Sequence, residues 1–182
     1  MERAVRFAGS GGQGIALAAL LLADGAVRAG MNATHSQAYG PESRGGASKA
    51  DVIVADGPIP YPIAARPEVL VALTPEACAR YLADLAPSGL ALLDDGARAA
   101  ERTDIEIVSL PIIAEARREL GAVLGANLIA LGALVTLTGL VPPDAVARAV
   151  QARRPGGDGE RALRAFRLGE ALARRIKEVV PM

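Results

Sequence analysis

Apolar residues are grouped along the chain in short runs, most of which are followed by a longer segment with helical character. The runs at residues 69–73 and 90–93 contain no polar position, which is typical of strands covered on both faces of a sheet. Other short apolar runs that include polar positions are also predicted to be strands. The pattern predicts strands at residues 4–8, 31–36, 50–55, 69–73, 90–93 and 105–110.

The segments between these runs have the spacing and the boundary residues of helices. Thr74-Pro75-Glu76 combines a capping hydroxyl, a first-turn proline and an acid near the positive end of the helix dipole. Gly30 stands where a helix ends most easily in a left-handed residue. Helices are predicted at residues 15–29, 74–85, 112–120, 124–138, 143–153 and 160–178, with a loop from 35 to 49.

Strands that alternate with helices indicate an α/β fold. No segment resembles a linker long enough to separate two domains, and no internal repeat is present. The pattern therefore predicts one domain over residues 1–182, a three-layer α/β/α structure with a mostly parallel central sheet.

The stretch from Leu120 to Pro143 has no charged residue and is long enough to span a bilayer. It nevertheless contains Asn127, Thr136 and Thr138, and it lacks the basic and aromatic flanks of membrane segments. We expect a buried helix over 126–138, packed against the sheet, whose polar side chains find internal partners. No membrane contact is expected.

Composition excludes several functions. The 20 basic and 20 acidic residues balance, which argues against a dedicated nucleic-acid binder. The single cysteine, Cys78, cannot form a disulfide framework or ligate an iron–sulfur cluster alone, and we expect it to be a small buried residue. His35, the only histidine, is interpreted as a structural or interface residue. The first residues lack the apolar core of a signal peptide, so a cytoplasmic protein is expected.

A glycine-rich loop follows the first predicted strand and precedes the first predicted helix. Such a loop lets an anion approach backbone N–H groups at the helix start. A dinucleotide site would also require an acid about twenty positions later, where the second strand has none, and no Gly-Lys-Ser/Thr follows as in a P-loop. A tight turn without a ligand is the structural alternative. The candidate binding residues are Gly9, Ser10, Gly11, Gly12, Gln13 and Gly14.

A second candidate segment spans residues 39–46. Its arginine, Arg44, can hold a phosphate or carboxylate through two parallel hydrogen bonds, and the segment can equally be a rigid loop docked on a partner. We predict that Arg44→Ala leaves the isolated domain folded but reduces activity in an assembly. The segment consists of Tyr39, Gly40, Pro41, Glu42, Ser43, Arg44, Gly45 and Gly46.

Together, the two segments resemble the gamma subunit of 2-oxoacid:ferredoxin oxidoreductases. The spacing between them fits that family, as do the strand at residues 67–73 and the helical segment at 127–133. The likeness extends from residue 4 to about residue 150. The form of the second segment and the pair Tyr61-Pro62 are most similar to the 2-oxoglutarate branch, while the pyruvate and indolepyruvate branches are also similar.

The resemblance implies a subunit that carries no catalytic residue of its own. Thiamine diphosphate, Mg and 4Fe-4S clusters are then expected on alpha, beta and ferredoxin-like delta subunits, which together form acyl-CoA and reduce ferredoxin. The two candidate segments would contact CoA or a partner subunit. A stand-alone Rossmann-like nucleotide-binding protein and a purely structural assembly subunit are the alternatives.

Two acidic motifs are interpreted as structural. Gly157-Asp158-Gly159 is similar to the start of a thiamine-diphosphate motif, but no paired asparagines follow, so a turn is predicted. Asp94-Asp95 ends a predicted strand, where a turn and helix-capping role is expected.

Overall fold

The computed structural model describes residues 1–37, 47–97, 102–123, 125–153 and 157–179. Each predicted strand and helix is present in this part of the chain, with small shifts at the ends. The strands are β1 (Glu2–Ser10), β2 (Asn32–Gln37), β3 (Ala47–Ala55), β4 (Val69–Ala72), β5 (Leu90–Asp94) and β6 (Glu106–Leu110). The helices are α1 (Ile15–Arg28), α2 (Pro75–Tyr81), α3 (Ile112–Leu120), α4 (Ala126–Thr138), α5 (Pro143–Arg153) and α6 (Gly157–Val179).

The six strands form one sheet in the order β2-β3-β1-β4-β5-β6. The pairs from β1 through β4 and β5 to β6 are parallel, which confirms a mostly parallel sheet. The pairs β1–β3 and β2–β3 are antiparallel. β1 therefore lies in the middle of the sheet, with an antiparallel neighbour on one side and a parallel neighbour on the other.

Helices cover both faces of the sheet, but unequally. One face carries α1 and the group α3 to α6, and strand residues such as Val5 and Phe7 belong to that core. The other face carries α2 and a short 3₁₀ turn, Leu82–Asp84, which pack against Ala8 and its neighbours. Side chains that alternate along β1 therefore pack into two separate cores, one on each face of the sheet. The predicted three-layer arrangement is confirmed.

A buried ion cluster lies on the sheet face that is covered by α2 and the 3₁₀ turn. The guanidinium of Arg6, only 2% exposed, donates to both carboxylate oxygens of Asp51 at 2.7 and 3.0 Å. It also donates to Asp84 at 2.6 Å and to the Ala64 carbonyl at 2.9 Å. Burial opposes the charge, but Asp51 and Asp84 outweigh it and raise the pKa of Arg6. The cluster joins β1, β3, the 3₁₀ turn and the segment before β4.

The predicted buried helix over 126–138 is confirmed as α4, most of whose residues are inaccessible. It shares one apolar core with the strand residues Val71, Leu92 and Val108, and the helix against which it packs most extensively is α6. Thr138 donates to the Leu134 carbonyl at 2.8 Å. Thr136 does not meet the prediction, because its buried hydroxyl has no partner among the described residues. Within the described residues, no helix is both long and apolar enough to cross a membrane.

Two segments predicted to be irregular are regular. Residues 47–49 extend β3, because they pair with residues 8–10 of β1 although their own side chains are small or polar. Residues 157–159 form the first helical turn of α6, whereas a non-helical turn was predicted there. Asp158 favours that helix start, since its charge lies at the positive end of the dipole.

Candidate functional site

The glycine loop connects the carboxyl end of β1, at Ser10, to the start of α1. At Gly9 an added Cβ would lie 2.4 Å from Oε1 of Gln13 and 2.9 Å from the Ile15 side chain. Gly14 precedes the helix in a left-handed conformation with φ +73°. A side chain at Gly9 would therefore displace the side-chain ends of Gln13 and Ile15, and one at Gly14 is disfavoured by the backbone.

Several hydrogen bonds within the glycine loop and from its neighbour β3 fix the shape of the loop. The Ser10 N–H donates to Oε1 of Gln13 at 2.7 Å, and the Gln13 N–H donates back to the Ser10 carbonyl at 3.2 Å. Ser48 on β3 donates its hydroxyl to the Gly9 carbonyl at 3.2 Å. Gly11 and Gly12 stay exposed at the tip. The loop is thus a preformed turn whose exposed part is backbone.

Three helix starts meet around one cleft of about 500 Å³ beside this loop. α1 follows Gly14, α4 follows Gly125, and α6 begins at Gly157. Among the described residues, no side chain caps α1 or α4, and neither helix has an acid in its first turn. Their terminal N–H groups therefore give this end of the cleft a positive potential that suits an anion.

The rest of the cleft is mainly apolar. Leu17, Leu120, Val123 and Leu128 contribute to its walls. Its charged lining, within the described residues, consists of Asp158 and Arg161 from the first turns of α6. Nη2 of Arg161 donates to the Leu120 carbonyl at 2.9 Å, which links α6 to the end of α3. An anion-binding end and apolar walls together suit an elongated ligand that carries phosphate.

Asn127, in the first turn of α4, was not among the predicted site residues. It lines the cleft, is 6% exposed, and donates from Nδ2 to the Gly14 carbonyl at 2.9 Å. The sequence does contain a signal for it, because an isolated amide in a long apolar run requires a polar partner. Its partner, 113 positions away, was not readable from the sequence.

The second predicted segment lies outside the described residues. Tyr39, Glu42, Ser43, Arg44, Gly45 and Gly46 all belong to this undescribed stretch. Ala47, the first described residue after it, pairs with Ser10 at the base of the glycine loop. The Tyr81 hydroxyl donates to the Ala47 carbonyl at 3.2 Å. The strand that follows the second segment therefore starts beside the first, while the binding roles of both remain predictions.

The remaining candidates lie elsewhere. His35 is on β2, where burial lowers its pKa and its Nε2 has no partner among the described residues. Cys78 is buried in α2 as expected, and burial raises the pKa of its thiol. Asp94 accepts from the N–H groups of Ile113 and Gly96 at 2.7 and 3.0 Å, which confirms its turn and capping role. The described residues contain no group of three or more His, Cys, Asp or Glu placed to hold a metal.

Residues 4–172 match the family model described as pyruvate ferredoxin/flavodoxin oxidoreductase. The chain is 34% identical over 180 residues to 2-oxoglutarate synthase subunit KorC of Methanocaldococcus jannaschii, covering 97% of this chain and 96% of the relative. It is 37% identical over 172 residues to KorC of Archaeoglobus fulgidus, covering 94% and 88%.

Solved structures give the same picture of the fold. The gamma subunit of a keto/oxoacid ferredoxin oxidoreductase from Geobacter sulfurreducens superposes with a TM-score of 0.87 at 38% identity, covering 96% of this chain and 98% of that one. The 2-oxoglutarate:ferredoxin oxidoreductase from Magnetococcus marinus, solved with 2-oxoglutarate, coenzyme A and succinyl-CoA, gives a TM-score of 0.85 at 22% identity. The match covers 96% of this chain and 31% of that longer chain, and it shows a shared fold.

Proposed function

Because this chain belongs to the pyruvate ferredoxin/flavodoxin oxidoreductase family, we infer that it is the gamma subunit of a 2-oxoglutarate:ferredoxin oxidoreductase. Relatives named as 2-oxoglutarate synthase subunits match over nearly their whole length, and so does a solved gamma subunit. We propose that residues 1–182 form one gamma-type domain. The alternative of a stand-alone nucleotide-binding protein is not favoured by these relationships.

The complex converts 2-oxoglutarate and CoA to succinyl-CoA and CO₂ and passes two electrons to ferredoxin. Complexes of this family depend on thiamine diphosphate and iron–sulfur clusters. Thiamine diphosphate stabilises the carbanion formed on decarboxylation, and the clusters carry the electrons. The proposed holders of these groups and of Mg are alpha, beta and ferredoxin-like delta subunits, since one cysteine in this chain cannot ligate a 4Fe-4S cluster.

The contribution proposed for this chain is a contact with CoA. The observation that carries it is the cleft at the glycine loop, where the uncapped starts of α1 and α4 face one space. Phosphate groups of CoA fit this end, because backbone N–H groups can donate to their oxygens. Leu17 and Leu128 offer apolar surface to the less polar part of the same ligand.

Reconstitution of the complex with and without this chain tests the assignment. The expected result is reduction of a viologen dye that requires 2-oxoglutarate, CoA and this subunit, with higher kcat/KM for 2-oxoglutarate than for pyruvate or indolepyruvate. The isolated chain is expected to contain no stoichiometric iron or thiamine diphosphate and to show no turnover. Turnover by the isolated chain, or a complex indifferent to its removal, would refute the assignment.

A charge reversal tests the CoA contact separately. In Arg161→Glu the cleft gains a second acid beside Asp158, which should raise the KM for CoA about tenfold, corresponding to about 1.4 kcal/mol. The matched control is Arg164→Glu, because Arg164 lies one turn further along α6, pairs with Glu119 and does not line the cleft. An equal effect of both variants on the KM for CoA would contradict a CoA contact in this cleft.

A further inference from the structure

Resting on the proposed CoA contact, we propose that Asn127 is the positioning residue of the cleft. Its amide holds the Gly14 carbonyl and thereby aligns the N-termini of α1 and α4 on the same anionic group of the ligand. The role goes beyond the subunit assignment, because it makes two helices that are distant in sequence act as one anion site.

The link between the two helices is a single carbonyl group. The Gly14 oxygen accepts the Ala18 N–H of α1 at 3.1 Å and Nδ2 of Asn127 from α4 at 2.9 Å. An added Cβ at Gly14 would stand 2.6 Å from that Nδ2. The amide and the glycine therefore fit directly against each other, and the starts of α1 and α4 cannot separate without breaking this bond.

The amide also has capacity left for a ligand. No described residue donates to its Oδ1, and this atom is not one of the fully buried unpartnered atoms, so it stays accessible at the cleft that Asn127 lines. An accessible amide oxygen in the wall of a cleft can accept a hydrogen bond from a donor group of the ligand. Amide and hydroxyl groups along a CoA molecule are donors of this kind.

The neutrality of Asn127 is the informative property. An acid in the first turn of α4 would be favourable for that helix through its dipole. The chain has an uncharged amide there instead, and the first turn of α1 also lacks an acid. An amide keeps the link to Gly14 without repelling an anion in the cleft.

Asn127→Asp in the reconstituted complex is the decisive variant, because it keeps the shape of the side chain, replaces the Nδ2 donor to Gly14 with an oxygen that cannot donate, and adds a negative charge. It should raise the KM for CoA by about tenfold or more, while kcat and the KM for 2-oxoglutarate change by less than about twofold. The melting temperature of the complex should fall modestly, since the hydrogen bond to Gly14 is lost and the interaction of the new acid with the α4 dipole offsets only part of that loss.

Two inhibitors separate an electrostatic effect from a general loss of fit. Inhibition by adenosine 3′,5′-bisphosphate, which carries phosphate, should weaken in Asn127→Asp, while inhibition by pantetheine, which carries none, should stay unchanged. Asn127→Ala should raise the KM for CoA less than Asn127→Asp does, because it loses the hydrogen bond to Gly14 without adding a charge.

The outcomes distinguish this inference from the proposed function. A wild-type complex that requires CoA, together with an unchanged KM for CoA in Asn127→Asp, would overturn the role of Asn127 and leave the subunit assignment intact. A parallel rise of the KM for CoA and the KM for 2-oxoglutarate would show a merely structural residue and overturn the role of Asn127 too. A complex without CoA-dependent turnover would instead contradict the proposed function.

Discussion

Gly132 of α4 and Gly169 of α6 meet where these two helices cross. A Cβ at Gly132 would lie 2.0 Å from the Phe166 carbonyl oxygen, and a Cβ at Gly169 would lie 1.9 Å from that of Ile129. The two backbones are thus in direct contact, with no room for a methyl group on either side. This crossing supports the start of α6, which lines the cleft.

Gly169→Ala should therefore destabilise the chain by about 3 kcal/mol, since the helices must move apart to admit the methyl group. The measurement is urea unfolding of the full chain. Gly57→Ala is the control, because an added Cβ at Gly57 meets nothing within 4 Å. Equal stability of the two variants would show that α4 and α6 are not packed this closely.

In the Arg6 cluster, removing one partner of the buried ion pair should cost much more stability than replacing both partners with apolar residues. Arg6→Met leaves the buried Asp51 without its main partner and should cost about 3–5 kcal/mol, whereas adding Asp51→Leu should restore part of that loss. Arg174→Met is the control, since Arg174 pairs with Glu170 at an exposed site and should cost less than about 1 kcal/mol. Denaturant titrations of the three variants would show whether the buried pair behaves differently.

Asp94 and Asp95 are adjacent but should differ strongly. Asp94→Ala removes an acceptor from the N–H groups of Ile113 and Gly96 and should lower stability by about 2 kcal/mol. Substitution of the exposed Asp95 by alanine should change stability by less than about 0.5 kcal/mol, because within the described ranges its one hydrogen bond is from its backbone N–H to the Leu110 carbonyl. Thermal melts of both variants test this, and a larger loss for Asp95→Ala would be inconsistent with the structure.

His35 should make stability sensitive to mild acid. Burial lowers its pKa in the folded chain, so the unfolded chain binds a proton first as the pH falls. Stability should decline as the pH falls below about 6.5, the pKa of an unperturbed histidine, and continue to decline down to the lower folded pKa. As the chain has one histidine, His35→Gln should remove this slope. Identical pH profiles of the two proteins between pH 7 and 5 would contradict the prediction.

Local patterns were sufficient for most of the secondary structure. The bounds of α3 and α5 and the span 126–138 of α4 agree with the apolar spacing and with the glycines and prolines around it. The sequence prediction was wrong where contacts with distant residues determine the local structure. Residues 47–49 are part of a strand because β1 pairs with them. The glycines at 157 and 159 led to the prediction of a turn where α6 begins.

The glycine loop and the family were readable from the sequence because both depend on consecutive residues with a fixed spacing. The glycines are needed because the turn after β1 has left-handed backbone conformations and close packing, which are local properties of that turn. The place of β3 between β2 and β1 was not readable, since strand order depends on pairings between distant segments.

Only the tertiary structure decided what surrounds the loop. It brings Asn127 to Gly14 across 113 positions and places Arg161 in the lining of the same cleft. Such contacts depend on how helices cross, and the crossing of α4 with α6 depends on two small residues whose role is invisible in a linear pattern. The sequence by itself therefore determined the elements and the glycine loop, while packing between distant helices determined the cleft.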